Sequence, residues 1–127
     1  MSEFDVLNNH QFISLKTYRK NGNAVATPVW FVREDGKLYV MTLPESGKAK
    51  RIRNNNQVEV APCDGRGNLL GVDYIPAQVR ILPEGEESKH ADQLFLRRYG
   101  WQKRLFGLYH MLTRKKLIYL EITPRQS

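Results

Sequence analysis

Apolar and polar positions alternate along the first half of the chain. Phe12–Lys20 (FISLKTYRK) sets Ile13 and Leu15 between polar residues, the period-two pattern of a half-buried strand. Asn21-Gly22 follows, a dipeptide that tolerates the positive φ angles of a type I′ hairpin turn. Ala24–Arg33 (AVATPVWFVR) is β-rich and mostly apolar, Asp35-Gly36 is a second turn signal, and Leu38–Thr42 (LYVMT) reads as a third strand. Consecutive strands on short connections are usually neighbours, so the pattern predicts a three-strand meander. Pro28 lies inside the second strand. Proline has no N–H to give to a ladder, so it belongs on an edge, at a bulge, or on a strand whose backbone faces a ligand.

The period then changes. Ser46 is a good N-cap for a short helix from Gly47 to about Arg53, whose only apolar stripe is Ala49 and Ile52. Asn54, Asn55 and Asn56 end it. Gln57–Cys63 (QVEVAPC) predicts a fourth strand, Asp64–Asn68 a turn, and Asp73–Leu82 (DYIPAQVRIL) a fifth strand broken by Pro83-Glu84-Gly85. From Glu86 to Thr113 the apolar residues Leu94, Leu96, Tyr99, Leu105, Leu108, Tyr109 and Leu112 recur mostly at three- and four-residue steps, the signature of amphipathic helix. Gly100 divides this stretch into two helices. Arg114-Lys115-Lys116 is a basic turn, and Leu117–Thr123 (LIYLEIT) a last strand stopped by Pro124. The order β-β-β-α-β-β-α-α-β predicts a mainly β chain with helices, an α+β small barrel.

Length and charge narrow the picture. At 127 residues the chain is expected to be a single domain, residues 1–127. Lys and Arg number 20 against 13 Asp and Glu, a formal charge of +7. That balance favours an anionic partner: nucleic acid, an acidic membrane surface, or a phosphorylated small molecule. No apolar run reaches the roughly 18 residues that span a bilayer, and the start of the chain does not pair a basic with an apolar region as a signal peptide does. Cys63 is the single cysteine, which excludes an intramolecular disulfide and suits a reducing compartment. The cytoplasm is the expected address.

Several chemistries are disfavoured by spacing. His10, His90 and His110 are far apart and have no cysteine pair or carboxylate cluster beside them, so no metal site is expected. No G-x-S-x-G, Walker or Rossmann pattern is present. Arg97, Arg98, Lys103, Arg104 and Arg114–Lys116 interleave with Tyr99, Trp101 and Phe106, a mixture that can hold single-stranded nucleic acid. Those aromatics, however, share a helical period with Leu94, Leu105 and Leu108, which favours core or subunit-interface packing. Trp101, Phe106, Leu108, Tyr109 and Leu112 are more apolar surface than two short helices on a small barrel bury alone, and this predicts a homodimer.

The strongest local signal is Ser46-Gly47-Lys48-Ala49-Lys50-Arg51-Ile52-Arg53. Cations crowd the start of a short helix, where the dipole disfavours them and unpaired N–H groups already offer an anion site. A phosphate would answer both features. The Ser46 hydroxyl and the backbone N–H groups of Gly47 and Lys48 would donate, the Lys48 ammonium would neutralise, and Gly47 would let the ligand approach the backbone. A solvated basic face is the alternative.

Thr27-Pro28-Val29-Trp30-Phe31, Leu38–Thr42, Ser46–Asn55 and Val60-Ala61-Pro62-Cys63-Asp64, in this order and spacing, resemble the pyridoxamine 5′-phosphate oxidase-like superfamily. The resemblance extends from about Phe12 to Ile122. Within the superfamily it is strongest to the small deazaflavin (coenzyme F-420) dependent oxidoreductases. It implies an FMN-binding-like split β-barrel, a homodimer, and two cofactor sites in clefts lined by both subunits. Carried over by position, it implies that Ser46, Gly47 and Lys48 meet the cofactor phosphate, with Lys50, Arg51 and Thr42 nearby. Thr27, Pro28, Val29 and Trp30 would run along the ring. The implied reaction is hydride transfer between F-420, or alternatively FMN, and a small organic substrate. The cofactor carries that chemistry, so no catalytic residue is assigned. The C-terminal arginine and histidine pattern with which the founding oxidase holds pyridoxamine phosphate is not found here, so oxidation of vitamin B6 is not expected. A non-catalytic carrier or sensor on the same fold, or a basic nucleic-acid-binding module, are the other functions the sequence accommodates.

Overall fold

A computed structural model describes residues 3–100 and 117–125. Within them, a 3₁₀ turn (Glu3–Leu7) leads into β1 (Phe12–Tyr18), β2 (Ala24–Trp30), β3 (Val32–Glu34), β4 (Lys37–Thr42), α1 (Gly47–Asn54), β5 (Gln57–Cys63), β6 (Ile75–Ile81), α2 (Glu86–Tyr99) and β7 (Ile118–Pro124). The strands form one sheet in the order β2-β1-β5-β6-β7-β4-β3, with each pair antiparallel. The sheet curls until β2 and β4, from its two flanks, touch. This is a split β-barrel.

Alternation along the strands fills the barrel. Ile13, Leu15, Leu38, Val40, Val58, Val60, Leu120 and Ile122 are wholly buried and share one core with Phe31. The 3₁₀ turn adds Phe4 and Leu7 to that core. So short a turn has no period to read, and the sequence pattern does not predict it. The opposite faces of β3, β4 and β7 carry Val32, Tyr39 and Tyr119 into a second core under α2, with Ala91, Leu94, Phe95 and Tyr99.

The meander is not what forms. β1 begins at Phe12, opposite Trp30, so the chain beyond Trp30 has no neighbour on that flank. It passes through Phe31 to the other flank and continues as β3, paired with β4. The predicted strand Ala24–Arg33 is therefore two strands on opposite edges of the sheet. The first hairpin also differs from expectation. Of Asn21 and Gly22, only Gly22 has positive φ, at 88°. The loop instead closes through Arg19 N–H to the Asn23 carbonyl at 2.8 Å and Asn23 N–H to Asn21 Oδ1 at 3.0 Å. At the second turn Asp35 and Gly36 have φ 52° and 76°, the pair of positive values that type I′ requires.

Pro28 lies on the edge strand β2, exposed, opposite Ser14 of β1. The edge reading of this proline holds. α2 ends at Tyr99, where Gly100 takes φ 54° and donates its N–H to the Leu96 carbonyl at 2.9 Å. Leu96 is 41% exposed: two residues beyond Leu94, it is turned to the far side of the helix and does not join the buried stripe. The second predicted helix, with Trp101, Lys103, Arg104, Leu105, Phe106, Leu108, Tyr109, His110 and Leu112, and the basic turn Arg114–Lys116 lie outside the described residues.

Tyr99 ties α2 to the seam of the barrel. Its hydroxyl donates to the buried Phe31 carbonyl at 2.6 Å, and burial pushes its pKa up. Tyr99→Phe leaves that carbonyl without this donor. A stability loss of about 0.5–1.5 kcal/mol is expected in urea unfolding.

Candidate functional site

The site is built where β4 hands over to α1. Ser46 N–H bonds the Leu43 carbonyl at 3.1 Å and closes the turn. Ser46 then caps the helix, its Oγ accepting from Ala49 N–H at 3.2 Å. Thr42, at the end of β4, lies 3.0 Å from the same oxygen, hydroxyl to hydroxyl. Two hydroxyls in contact use one proton between them, so the pair keeps one O–H to donate elsewhere. Ser46→Ala removes the cap, and a loss of about 1 kcal/mol in thermal or urea unfolding is expected.

Ala49 and Ile52 are buried and dock α1 on the barrel. Lys48 and Arg51, three residues apart, therefore share a flank. Lys50 is exposed, turned away from that flank. Arg53 is exposed as well and donates to the Pro44 carbonyl at 2.8 Å. None of these four cations pairs with a carboxylate among the described residues. Burial lowers the pKa of Lys48, and the neighbouring Arg51 charge lowers it further. Arg51 is lowered by burial and by Arg19. Both cations are thus held at some electrostatic cost, with no anion beside them.

Lys48 borders a concavity of about 240 Å³ whose other walls are Val29, Trp30 and Met41. It lies at the seam, where β2 meets β4. Trp30 is braced from behind by Tyr99, ring centroids 5.1 Å apart and planes 12° from parallel. Close by on β2, Thr27 Oγ1 is buried with no hydrogen-bond partner among the described residues. An apolar slot with a cation at its rim suits a flat ring that carries an anionic tail.

Of the residues singled out in the sequence, Val29, Trp30 and Lys48 line the concavity together. Thr42 and Ser46 are in contact, and the Arg51 guanidinium lies over Gly47. Pro28 is not part of the lining; Gly67 approaches its ring instead. Lys50 is turned to another flank. Two further residues at this corner were not singled out in the sequence. Met41 is one, although the alternation of LYVMT already sets it opposite Leu38 and Val40. The other is Thr17, whose hydroxyl accepts from Arg51 Nε at 2.6 Å; a threonine on a core-facing strand position gives no such signal. Among the described residues no group of His, Cys, Asp and Glu is placed to hold a metal. No helix among them is long and apolar enough to cross a membrane.

A family model described as pyridoxamine 5′-phosphate oxidase matches residues 3–126. No curated protein matches the chain in sequence. Solved structures share the fold at low identity. HutZ, the heme storage protein from Vibrio cholerae, superposes with a TM-score of 0.73 at 15% identity, covering 100% of this chain and 93% of its own. An FAD-binding protein from Mesorhizobium loti gives 0.65 at 18%, covering 95% and 84%. A chain described as a domain-swapped dimer gives 0.67 at 20%, covering 88% and 79%.

Proposed function

Because the chain belongs to the pyridoxamine 5′-phosphate oxidase family, we propose that it is an oxidoreductase that binds deazaflavin F-420, or alternatively FMN, in the seam concavity. The observation that carries this reading is Lys48: a cation without a carboxylate partner among the described residues, partly stripped of water, at the rim of an apolar slot. The residues present fit such a group. Lys48 and Arg51 would hold its phosphate, with the spare hydroxyl proton of the Thr42–Ser46 pair directed to the same anion. Thr27, Val29 and Trp30 would flank the ring, where the Thr27 hydroxyl, without a partner among the described residues, has a bond to give. Val29, Trp30 and Met41 would keep water from the ring. When bound, the ring supplies hydride transfer to or from a small organic substrate.

The concavity of one chain, about 240 Å³, is smaller than the roughly 300–1,000 Å³ of usual ligand sites. A homodimer whose second copy completes the wall is part of the proposal, and a structural neighbour is itself described as a domain-swapped dimer. The buried free thiol of Cys63 accords with a cytoplasmic address. A carrier or sensor without turnover is the second reading. It is favoured by the lining, in which Lys48 is, among the described residues, the only ionisable side chain beside Val29, Trp30 and Met41.

Titration of F-420 and of FMN into the purified protein, read by fluorescence and by sedimentation, tests the proposal. Micromolar binding of one of them by a dimer is expected. Failure of both to bind below about 1 mM, equivalent to −4 kcal/mol, overturns it. Turnover with electron-poor acceptors separates enzyme from carrier.

A further inference from the structure

Arg51 is set up differently from the other cations of α1. Its Nε donates to Thr17 Oγ1 at 2.6 Å, and Thr17 is wholly buried on the core face of β1. The Thr17 hydroxyl is itself occupied, donating to the Val25 carbonyl at 3.4 Å across the β1–β2 pair. The guanidinium is therefore fixed through one nitrogen to the barrel wall. Its two terminal nitrogens have no partner among the described residues. One of them lies over Gly47, 2.8 Å from the point where a side chain there would place Cβ. The free fork thus projects across the first turn of α1, on the flank it shares with Lys48. A planar fork held in place loses little entropy on binding an oxyanion, and it grips two oxygens at once where an ammonium offers a point charge.

We propose that Thr17 is a positioning residue that presets the Arg51 fork for the phosphate of the ring cofactor, and that Gly47 is glycine to leave that fork its place. The proposal rests on the cofactor site described above and goes further: it assigns phosphate selectivity to a tether inside the barrel, outside the Ser46–Arg53 run. Thr17 acts through Arg51 and touches no ligand. The selectivity it confers concerns the phosphate alone, and the ring is held independently of it.

A paired comparison tests this. FMN and riboflavin share one ring and differ in the phosphate. The deazaflavin chromophore with and without its 5′-phosphate serves in the same way if the wild type prefers the deazaflavin. The affinity ratio within the pair is measured for the wild type and for Thr17→Val, Thr17→Ser and Gly47→Ala. Thr17→Val should cut the ratio about 5- to 10-fold, a share of one charge-assisted contact, and leave the phosphate-free ligand bound as before. Thr17→Ser keeps the hydroxyl and should restore the ratio. Gly47→Ala should cut it similarly, because the added methyl displaces the fork, and should leave the phosphate-free ligand bound as before. Undiminished binding of the phosphate-free ligand in both variants excludes simple misfolding. An unchanged ratio in both Thr17→Val and Gly47→Ala overturns this inference alone. No binding of any of the four ligands by the wild type overturns it together with the cofactor site.

Discussion

Lys48→Met is expected to stabilise the ligand-free protein and to weaken its hold on a phosphate-ended cofactor about 10- to 100-fold, the worth of one charge-assisted bond. Both effects come from one cause. Burial beside Val29, Trp30 and Met41, with Arg51 near, lowers the pKa of Lys48. A lysine lowered in the folded state binds fewer protons there than in the unfolded chain between the two pKa values. Stability then rises with pH through that window, up to the ordinary lysine value near 10.4. Below the window the folded state bears the full penalty of a charge removed from water. Methionine keeps the length and apolar stem and discards that penalty. Urea unfolding at neutral pH should show the variant equal to or above the wild type. The wild type should close the gap as the pH climbs toward 10, and the variant should lack this contribution. An anion on the corner reverses the logic: it favours the ammonium, so phosphate affinity should fall as the pH rises through the lowered pKa. A variant that is less stable and binds undiminished would place Lys48 in a packing role only.

The proposed anion corner was partly legible in the residues. A run of cations at a helix start conflicts with the dipole, and that conflict pointed to the Ser46–Arg53 run, with Lys48 foremost, before any geometry. Short apolar or alternating runs between turn signals (FISLKTY, LYVMT, QVEVAPC and LIYLEIT) placed the strands; β4 and β7 bury both faces, one in each core. Three things were not legible. The sheet order depends on where each neighbour ends, and a strand does not reveal that β1 stops opposite Trp30. The Thr17–Arg51 bond joins residues far apart in sequence through a polar side chain on a core face, a pairing that no local period encodes. Lys50 carries the same charge as its neighbours, and only the burial of Ala49 and Ile52 shows that it is turned from the concavity. Charge type located the corner; helix phase shows which charges face the concavity.

Phe31→Ala is expected to cost about 3–5 kcal/mol, the range for emptying a buried aromatic position. That is a large part of the 5–15 kcal/mol that holds a domain of this kind together. Phe31 is 1% exposed in the main core, at the residue where the chain crosses from β2 on one flank to β3 on the other. Its ring fills the barrel, the Arg98 guanidinium lies 5.7 Å from the ring centroid, and its carbonyl takes the Tyr99 hydroxyl. Removing the ring opens a void where the curled sheet is closed by a covalent crossing and not by a ladder. Tyr99, which braces Trp30, is anchored to the same residue, so the loss should loosen the wall of the concavity as well as the core. Phe31→Leu, which refills most of the space, should recover more than half of the lost stability. The double variant Phe31→Ala with Tyr99→Phe should lose less than the sum of the two, because both act on one joint. Urea unfolding of the wild type and the four variants measures each term. A loss under 1 kcal/mol for Phe31→Ala, or strict additivity in the double variant, would mean that the seam is held from elsewhere.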